Sequence, residues 1–315
     1  MTGASLRVIS RDQPVPRLCY GTLAVSPLQR PLTPSLAAHL LNHAAALGIT
    51  LLDTAEYYNN YPSISIALRA HPSLTIITKS YAWDRPTALA SVRKAQRLLR
   101  LPHIPVMLMH EQESELTVLG HLSALQTYRE LQSSGEIGSV GLSTHRVAGV
   151  RAAIKHNMDV VCAIINVDGL GLTDGALPDM ERALRDAHDA GLFVIGMKIL
   201  GGGHLISRRD ESIRYALSLD FLDCIALGMS SIAEINYNAS LFLGLRPDER
   251  AALESARAPR TLMIEEGCVG CGLCAERCGQ RAIIMEAGQA RAIPERCVRC
   301  GYCAAACPQV CIKIV

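Results

Sequence analysis

The chain has 315 residues, 49% of them hydrophobic but only 4% aromatic, and a formal net charge of +2. That is enough apolar material for one large core and a small second unit, filled mainly by aliphatic side chains. Charges of both signs are scattered along the chain, which offers no handle for nucleic acid or for a membrane surface. The opening stretch "MTGASLRVISRDQPVPRL" lacks a signal-peptide core, and the longest apolar run, "VVCAII" from Val160, is too short to cross a bilayer. A soluble, cytoplasmic protein is expected.

Taken in order, short apolar or β-branched runs alternate with longer amphipathic ones. The runs that read as strands are "RLCYGT" from Arg17, "ITLLDTA" from Ile49, "LTIITKS" from Leu74 and "PVMLMH" from Pro105. They continue with "IGSVGLS" from Ile137, "DVVCAIINV" from Asp159, "LFVIGMKIL" from Leu192 and "DCIALGMS" from Asp223. Between them, "PTALASVRKAQRLLR" from Pro86 carries proline in its first turn and arginines toward its end, as helices do. "LPDMERALRDAHDAG" from Leu177 closes on Gly191, where a left-handed cap is expected. Such units repeated eight times predict a (β/α)8 barrel over residues 1–245, with an open, doubly wound sheet as the alternative. The rhythm stops at "LRPDERAALESARAPRT" from Leu245, and residues 246–264 read as a linker with a short helix.

Eight of the twelve cysteines follow that linker in two sets. Cys268, Cys271, Cys274 and Cys278 precede Cys297, Cys300, Cys303 and Cys307, each set spaced C-x2-C-x2-C-x3-C. Three thiolates at the tight spacing wrap one face of an iron–sulfur cubane, while the fourth cannot fold back and ligates the other cluster. One [4Fe–4S] cluster is therefore expected on Cys268, Cys271, Cys274 and Cys307, and a second on Cys297, Cys300, Cys303 and Cys278. Structural zinc more often uses two separated C-x2-C pairs. Residues 265–315 resemble a bacterial two-cluster ferredoxin, with Gly279 where the first repeat of that family has proline. From Arg260 onward seven Lys and Arg face five Asp and Glu, a basic balance that suits an acidic electron donor or docking onto the barrel.

In a barrel of this kind the chemistry gathers at the C-terminal ends of the strands. Asp53 stands at the end of the second predicted strand with Tyr58 five residues on, Lys79 closes the third and His110 the fourth. A charged lysine beside Tyr58 is expected to lower the phenol's pKa and make it a proton donor to a developing alkoxide. Asp53 would hold that lysine charged, and His110 would orient a carbonyl oxygen. "LLDTAEYYNN", "IITKS" and "MLMHEQ" resemble the tyrosine, lysine and histidine elements of the aldo/keto reductase family. The resemblance spans residues 15–245 and implies Tyr58, rather than its neighbour Tyr57, as general acid, with Lys79, Asp53 and His110 in support. With its ferredoxin-like tail the whole chain resembles the iron–sulfur branch of that family.

The family holds NADP(H), and the resemblance implies Ser143 and Thr144 in "GLSTH" and Asn166 near the carboxamide, with Asn238 at the adenine. Elsewhere the chain departs from the family. Cys162 stands where a carboxamide-binding glutamine is usual, Met197 stands where an aromatic ring stacks on nicotinamide, and "GMSSIAEINYNAS" has no Lys/Arg pair for a 2′-phosphate. Gly201–Gly203 suit either a pyrophosphate or a tight turn. Cys19, Cys162 and Cys224 read as inert core thiols, and Cys311 as an extra one beside the clusters. A hydride cannot divide itself between one-electron clusters without an intermediary such as a flavin. The expected function is an oxidoreductase that reduces a small carbonyl or related unsaturated substrate, with electrons relayed through two clusters from a ferredoxin- or flavodoxin-like partner. The alternatives are an NAD(P)H- or NAD(H)-dependent carbonyl reductase whose module serves docking or regulation, and an electron-transfer protein with a scaffold barrel.

Overall fold

A computed structural model describes residues 9, 16–30, 32–248, 250, 252, 254, 261–297 and 302–314. Eight parallel strands follow one another around a closed barrel. They are β1 (Leu18–Gly21), β2 (Leu51–Asp53), β3 (Thr75–Ser80), β4 (Ile104–Met109), β5 (Ile137–Thr144), β6 (Val160–Ile164), β7 (Phe193–Met197) and β8 (Cys224–Gly228). Strand β1 returns to pair with β8, Leu18 opposite Ile225, which closes the sheet and removes the open-sheet alternative.

Side-chain alternation sorts the barrel into two packed layers. Cys19, Leu51, Ile77, Val106, Leu108, Cys162, Ile195 and Cys224 pack on one another as one cluster, and Ile9 joins them. Their strand neighbours Leu18, Tyr20, Leu52, Ile76, Met107 and Met109 belong to the larger layer under the helices. Cys19, Cys162 and Cys224 are free and buried, acting as small apolar residues in a narrow interior. The helices start and stop by local chemistry. Asp84 caps Arg85–Leu99, its carboxylate accepting from Thr87 N–H at 3.0 Å. Gly191, at φ 93°, follows Leu177–Asp189 in the left-handed region.

The chain then leaves the barrel after the helix Ile232–Phe242. Of the expected linker, residues 249, 251, 253 and 255–260 lie outside the described residues. The C-terminal module contains two antiparallel pairs. Strand β9 (Leu262–Ile264) pairs with β12 (Ile312–Ile314), and β10 (Ile283–Glu286) pairs with β11 (Gln289–Ala292). Its small core consists of Cys274, Ile283, Ala290, Cys303, Cys307, Cys311 and Ile312.

The module lies against the mouth of the barrel. A Cβ at Gly203, which sits at φ 96°, would stand 2.2 Å from the Ile314 carbonyl oxygen. At Gly202 it would stand 3.2 Å from the Lys313 side chain. The glycine run after β7 therefore receives β12, a close backbone approach that only glycine permits. Val310 packs on the barrel's outer layer, and Tyr57 Oη donates to the Glu266 carboxylate at 3.3 Å.

Candidate active site

Tyr58 sits in a 3₁₀ turn, Glu56–Tyr58, immediately beyond β2, and Asn59 ends the turn at φ 52°. The turn is pinned from below. Asn60 accepts from Thr54 Oγ1 at 2.7 Å and donates to the Thr22 hydroxyl at 2.9 Å, while Thr22 Oγ1 donates to the Asp53 carbonyl at 2.9 Å. Lys79, 1% exposed, donates from Nζ to Asp53 Oδ1 at 2.5 Å and to the Thr54 carbonyl at 2.9 Å. Its ammonium lies 5.5 Å from the centre of the Tyr58 ring. The ring of His110 is 6.1 Å from that of Tyr58 at a steep angle, and it stacks on Tyr81 at 4.3 Å. The structure thus brings Asp53, Tyr58, Lys79 and His110 together.

Burial controls the proton affinities here. It pushes the Tyr58 phenol well above its ordinary value, and Lys79 pulls the other way without prevailing. The expected lowering of that pKa is therefore reversed. The physical reason is that Asp53 already neutralises Lys79 at 2.5 Å and itself opposes a tyrosinate. Burial alone would strip the proton from Lys79, but Asp53 and Tyr58 raise its pKa, so the ammonium persists. His110 is held well below its usual range by burial and then by Lys79 and Lys198, so it is neutral, and its Nδ1 has no hydrogen-bond partner.

A cavity of about 190 Å³ opens beside Asp53 and Tyr58. Its lining includes Asp53, Tyr58, Met197, Lys198, Ser230, Glu234 and Asn238 of the barrel, together with Lys313 and Ile314 of β12. Of the four residues expected near a nicotinamide cofactor, Asn238 lines this cavity and presents a buried Oδ1 without a partner, which suits an amino group such as that of adenine. The other three make hydrogen bonds within the protein. Ser143 Oγ accepts from Glu111 N–H at 2.9 Å, Thr144 Oγ1 accepts from Arg146 N–H at 3.0 Å, and the Asn166 amide closes its own loop on both polar groups of Leu170. The signal for Tyr81 was present in sequence, an aromatic two residues after Lys79, yet its stacking on His110 depends on Glu111, whose carboxylate accepts from Tyr81 Oη at 2.5 Å. Lys313 gave no signal, because it arrives from the far end of the chain.

In the module a second cavity is walled by Cys268, Cys271, Cys274 and Cys307, with Cys311 beside them. Cys311 Sγ lies 3.4 Å from Cys307 Sγ, and this contact, with backbone N–H groups, lowers the Cys307 pKa to about 5. Four cysteine thiols around an apolar pocket fit an iron–sulfur cluster. Ala290 N–H donates to Cys268 Sγ at 3.4 Å, and Ala282 N–H donates to Cys278 Sγ at 3.2 Å, the kind of bond that tunes such clusters. Among the second expected set, Cys278 and Cys297 are partly exposed and Cys303 is buried, while Cys300 lies outside the described residues.

A parallel eight-stranded barrel with a lysine, an aspartate, a tyrosine and a histidine at its rim, joined to a thiol-rich module, defines an oxidoreductase with an iron–sulfur domain. The profile of the aldo/keto reductase family matches residues 17–212, and that of the 4Fe-4S dicluster domain matches residues 261–308. The chain belongs to the aldo/keto reductase family and carries a C-terminal iron–sulfur domain. Its barrel is similar to that of a Pseudomonas aeruginosa protein assigned to the aldo-keto reductases, at 21% identity and a TM-score of 0.62, over 72% of this chain and 91% of that one. It is also similar to the aldo-keto reductase AKR11C1 of Bacillus halodurans in its holo form, at 17% identity and a TM-score of 0.62, over 80% and 96% of the two chains. A Bombyx mori aldo-keto reductase (AKR2E4) in complex with NADP matches at 12% identity and a TM-score of 0.58, over 78% and 90%. No curated protein matches the chain. Among the described residues no helix is long and apolar enough to cross a membrane.

Proposed function

We propose that this chain reduces a small carbonyl, or a related unsaturated compound, at Tyr58, with electrons delivered through two [4Fe–4S] clusters. One cluster would be held by Cys268, Cys271, Cys274 and Cys307, the other by Cys278, Cys297, Cys300 and Cys303. The observation that carries this reading is strand β12. Cys311 and Ile312 wall the thiol cavity, while Lys313 and Ile314 wall the barrel cavity. Four residues of extended chain span roughly 10–13 Å, so the two chambers stand back to back.

The clusters, when bound, supply single electrons. The chain's own residues handle the proton and the geometry. The buried phenol of Tyr58 stays protonated and gives its proton to the substrate oxygen as C=O becomes C–O–H, while two electrons arriving one at a time and a second proton, from solvent, complete the C–H bond of the alcohol. Lys79, kept charged by Asp53, then faces the tyrosinate and limits its energy. Neutral His110 donates a hydrogen bond to the same oxygen and orients it. The electrons come from a ferredoxin- or flavodoxin-like partner in the cytoplasm, and a bound flavin would let a two-electron donor serve as well.

A second reading, an NAD(P)H-dependent carbonyl reductase whose module docks or regulates, draws on one observation. Tyr58 and Asn238, whose buried Oδ1 has no partner, line the same cavity, and the Bombyx mori relative is seen with NADP. The occupation of Gly202 and Gly203 by β12 weighs against it.

The two are separated by reconstituting the clusters anaerobically and following their visible absorbance. Bleaching by dithionite but not by NADH or NADPH is expected. Bleaching by either nicotinamide would transfer the assignment to the second reading, with a flavin dividing the electron pair.

A further inference from the structure

The wall of the barrel cavity carries more positive charge than the reduction at Tyr58 accounts for. Two carboxylates lie in it, and both are engaged. Asp53 holds Lys79, and Glu234 accepts from the backbone N–H and hydroxyl of Ser230 at 2.7 and 2.8 Å. Four cations share the same wall: Arg30, Lys198, Arg209 and Lys313. Arg209 lies over the Tyr237 ring at 3.4 Å and beside Asp210, and Lys313 has Glu265 at 3.1 Å.

Lys198 is different. It follows the last residue of β7 in the left-handed region, at φ 57°, a strained conformation for a lysine that turns the chain at the cavity rim. Burial and then the neighbouring Lys313 lower its pKa to about 7, against the weaker pull of Glu111 and Glu265. A cation so placed, with a second cation beside it on the lining of the same cavity, is what a site for an incoming anion looks like before the anion arrives.

We propose that Lys198 of the barrel and Lys313 of the iron–sulfur module together bind an anionic oxygen group, a carboxylate or a phosphoryl, on the molecule that occupies the cavity. The proposal rests on the reading of this cavity as the substrate chamber of the reductase and narrows the substrate to anionic compounds. The site is composite. Lys313 reaches it only because β12 lies on Gly202 and Gly203, so the barrel without its docked module holds half of it.

Isothermal titration of the anaerobically reconstituted full chain with phenylpyruvate, and separately with inorganic pyrophosphate, tests this against sodium chloride at matched ionic strength. Saturable binding of at least one probe is expected. Lys198→Met should weaken it about tenfold to hundredfold, as the loss of a charge-assisted bond does, while Lys198→Arg retains most of it. Lys313→Met should weaken it similarly. Glu265→Gln, which frees Lys313 without removing a cation, should tighten it and covers the case in which Lys313→Met damages the module. Binding of phenylpyruvate alone assigns the anion to the substrate, and binding of pyrophosphate displaced by NADH assigns it to a dinucleotide. Saturation by neither probe, or equal affinity in wild type and Lys198→Met, overturns the proposal. Because binding is read without turnover, the outcome is separate from the reductase reading, which fails if Tyr58→Phe still turns over.

Discussion

At Tyr58 the Lys79 charge and the loss of solvent act in opposite directions, and burial prevails. In the proposed reaction the tyrosine would be a reservoir for one proton, released only as negative charge grows on a substrate oxygen. Tyr58→Phe should lower turnover about 10²- to 10⁴-fold, the usual contribution of a general acid, with the visible absorbance of the clusters unchanged. Removing Lys79 should act on the fold as well. Lys79→Met leaves Asp53 buried and unpaired, at a cost of about 3–5 kcal/mol in urea unfolding, and adding Asp53→Asn should restore much of it. Histidines set the acid limit. His110 and His145 both titrate below their ordinary range because burial disfavours the imidazolium. The unfolded chain therefore takes up protons first as pH falls below about 6.5, and stability should drop by about 1.4 kcal/mol per pH unit for each of them. Urea midpoints at pH 5 and pH 7 measure this. Asp53, Lys79 and His110 were legible because each closes a recognisable strand pattern, and Tyr58 because it follows Asp53 by five residues. The sign of the Tyr58 shift was not, since it depends on how completely the turn Glu56–Tyr58 is enclosed and how tightly Asp53 holds Lys79.

The barrel was legible from eight short apolar runs alternating with longer amphipathic ones, whereas which side chains face inward is not visible in a uniformly apolar run such as "PVMLM". The glycine run after β7 could be read locally as a turn or a phosphate cradle, because nothing local says what approaches it. What approaches is β12, more than 100 residues later. Gly203→Val should therefore undock the module: its Cβ meets the Ile314 carbonyl and its φ of 96° is closed to valine. Small-angle scattering should show a larger radius of gyration, with the barrel's far-ultraviolet dichroism kept. Gly48→Ala is the control. At φ 86° with nothing within 4 Å, it should cost only the backbone strain of about 1–2 kcal/mol and leave the dimensions unchanged.

At the scale of the whole molecule, the proposed crossing of cysteines between repeats would tie the beginning of the module to its end. Cys307 shares a cavity with Cys268, Cys271 and Cys274, and the spare thiol of Cys311 is close enough to substitute for it. Cys307→Ser combined with Cys311→Ser should reduce bound iron from about eight to about four atoms per chain, while Cys311→Ser alone leaves it unchanged. Adding Cys297→Ser should then remove the remaining iron, whereas about four atoms retained in that triple variant would point to ligation within each repeat instead.

The seat of β12 on Gly203 has one more implication. Main chain meets main chain there, so the contact reads the path of the strand and ignores most of its side chains. Such a coupling is tolerant on one side and rigid on the other: the tail can drift in sequence so long as it stays extended, whereas the socket cannot change at all. A different electron-carrying unit could be grafted onto this barrel in the same place, provided that it ends in a short extended strand with a cation at the position of Lys313.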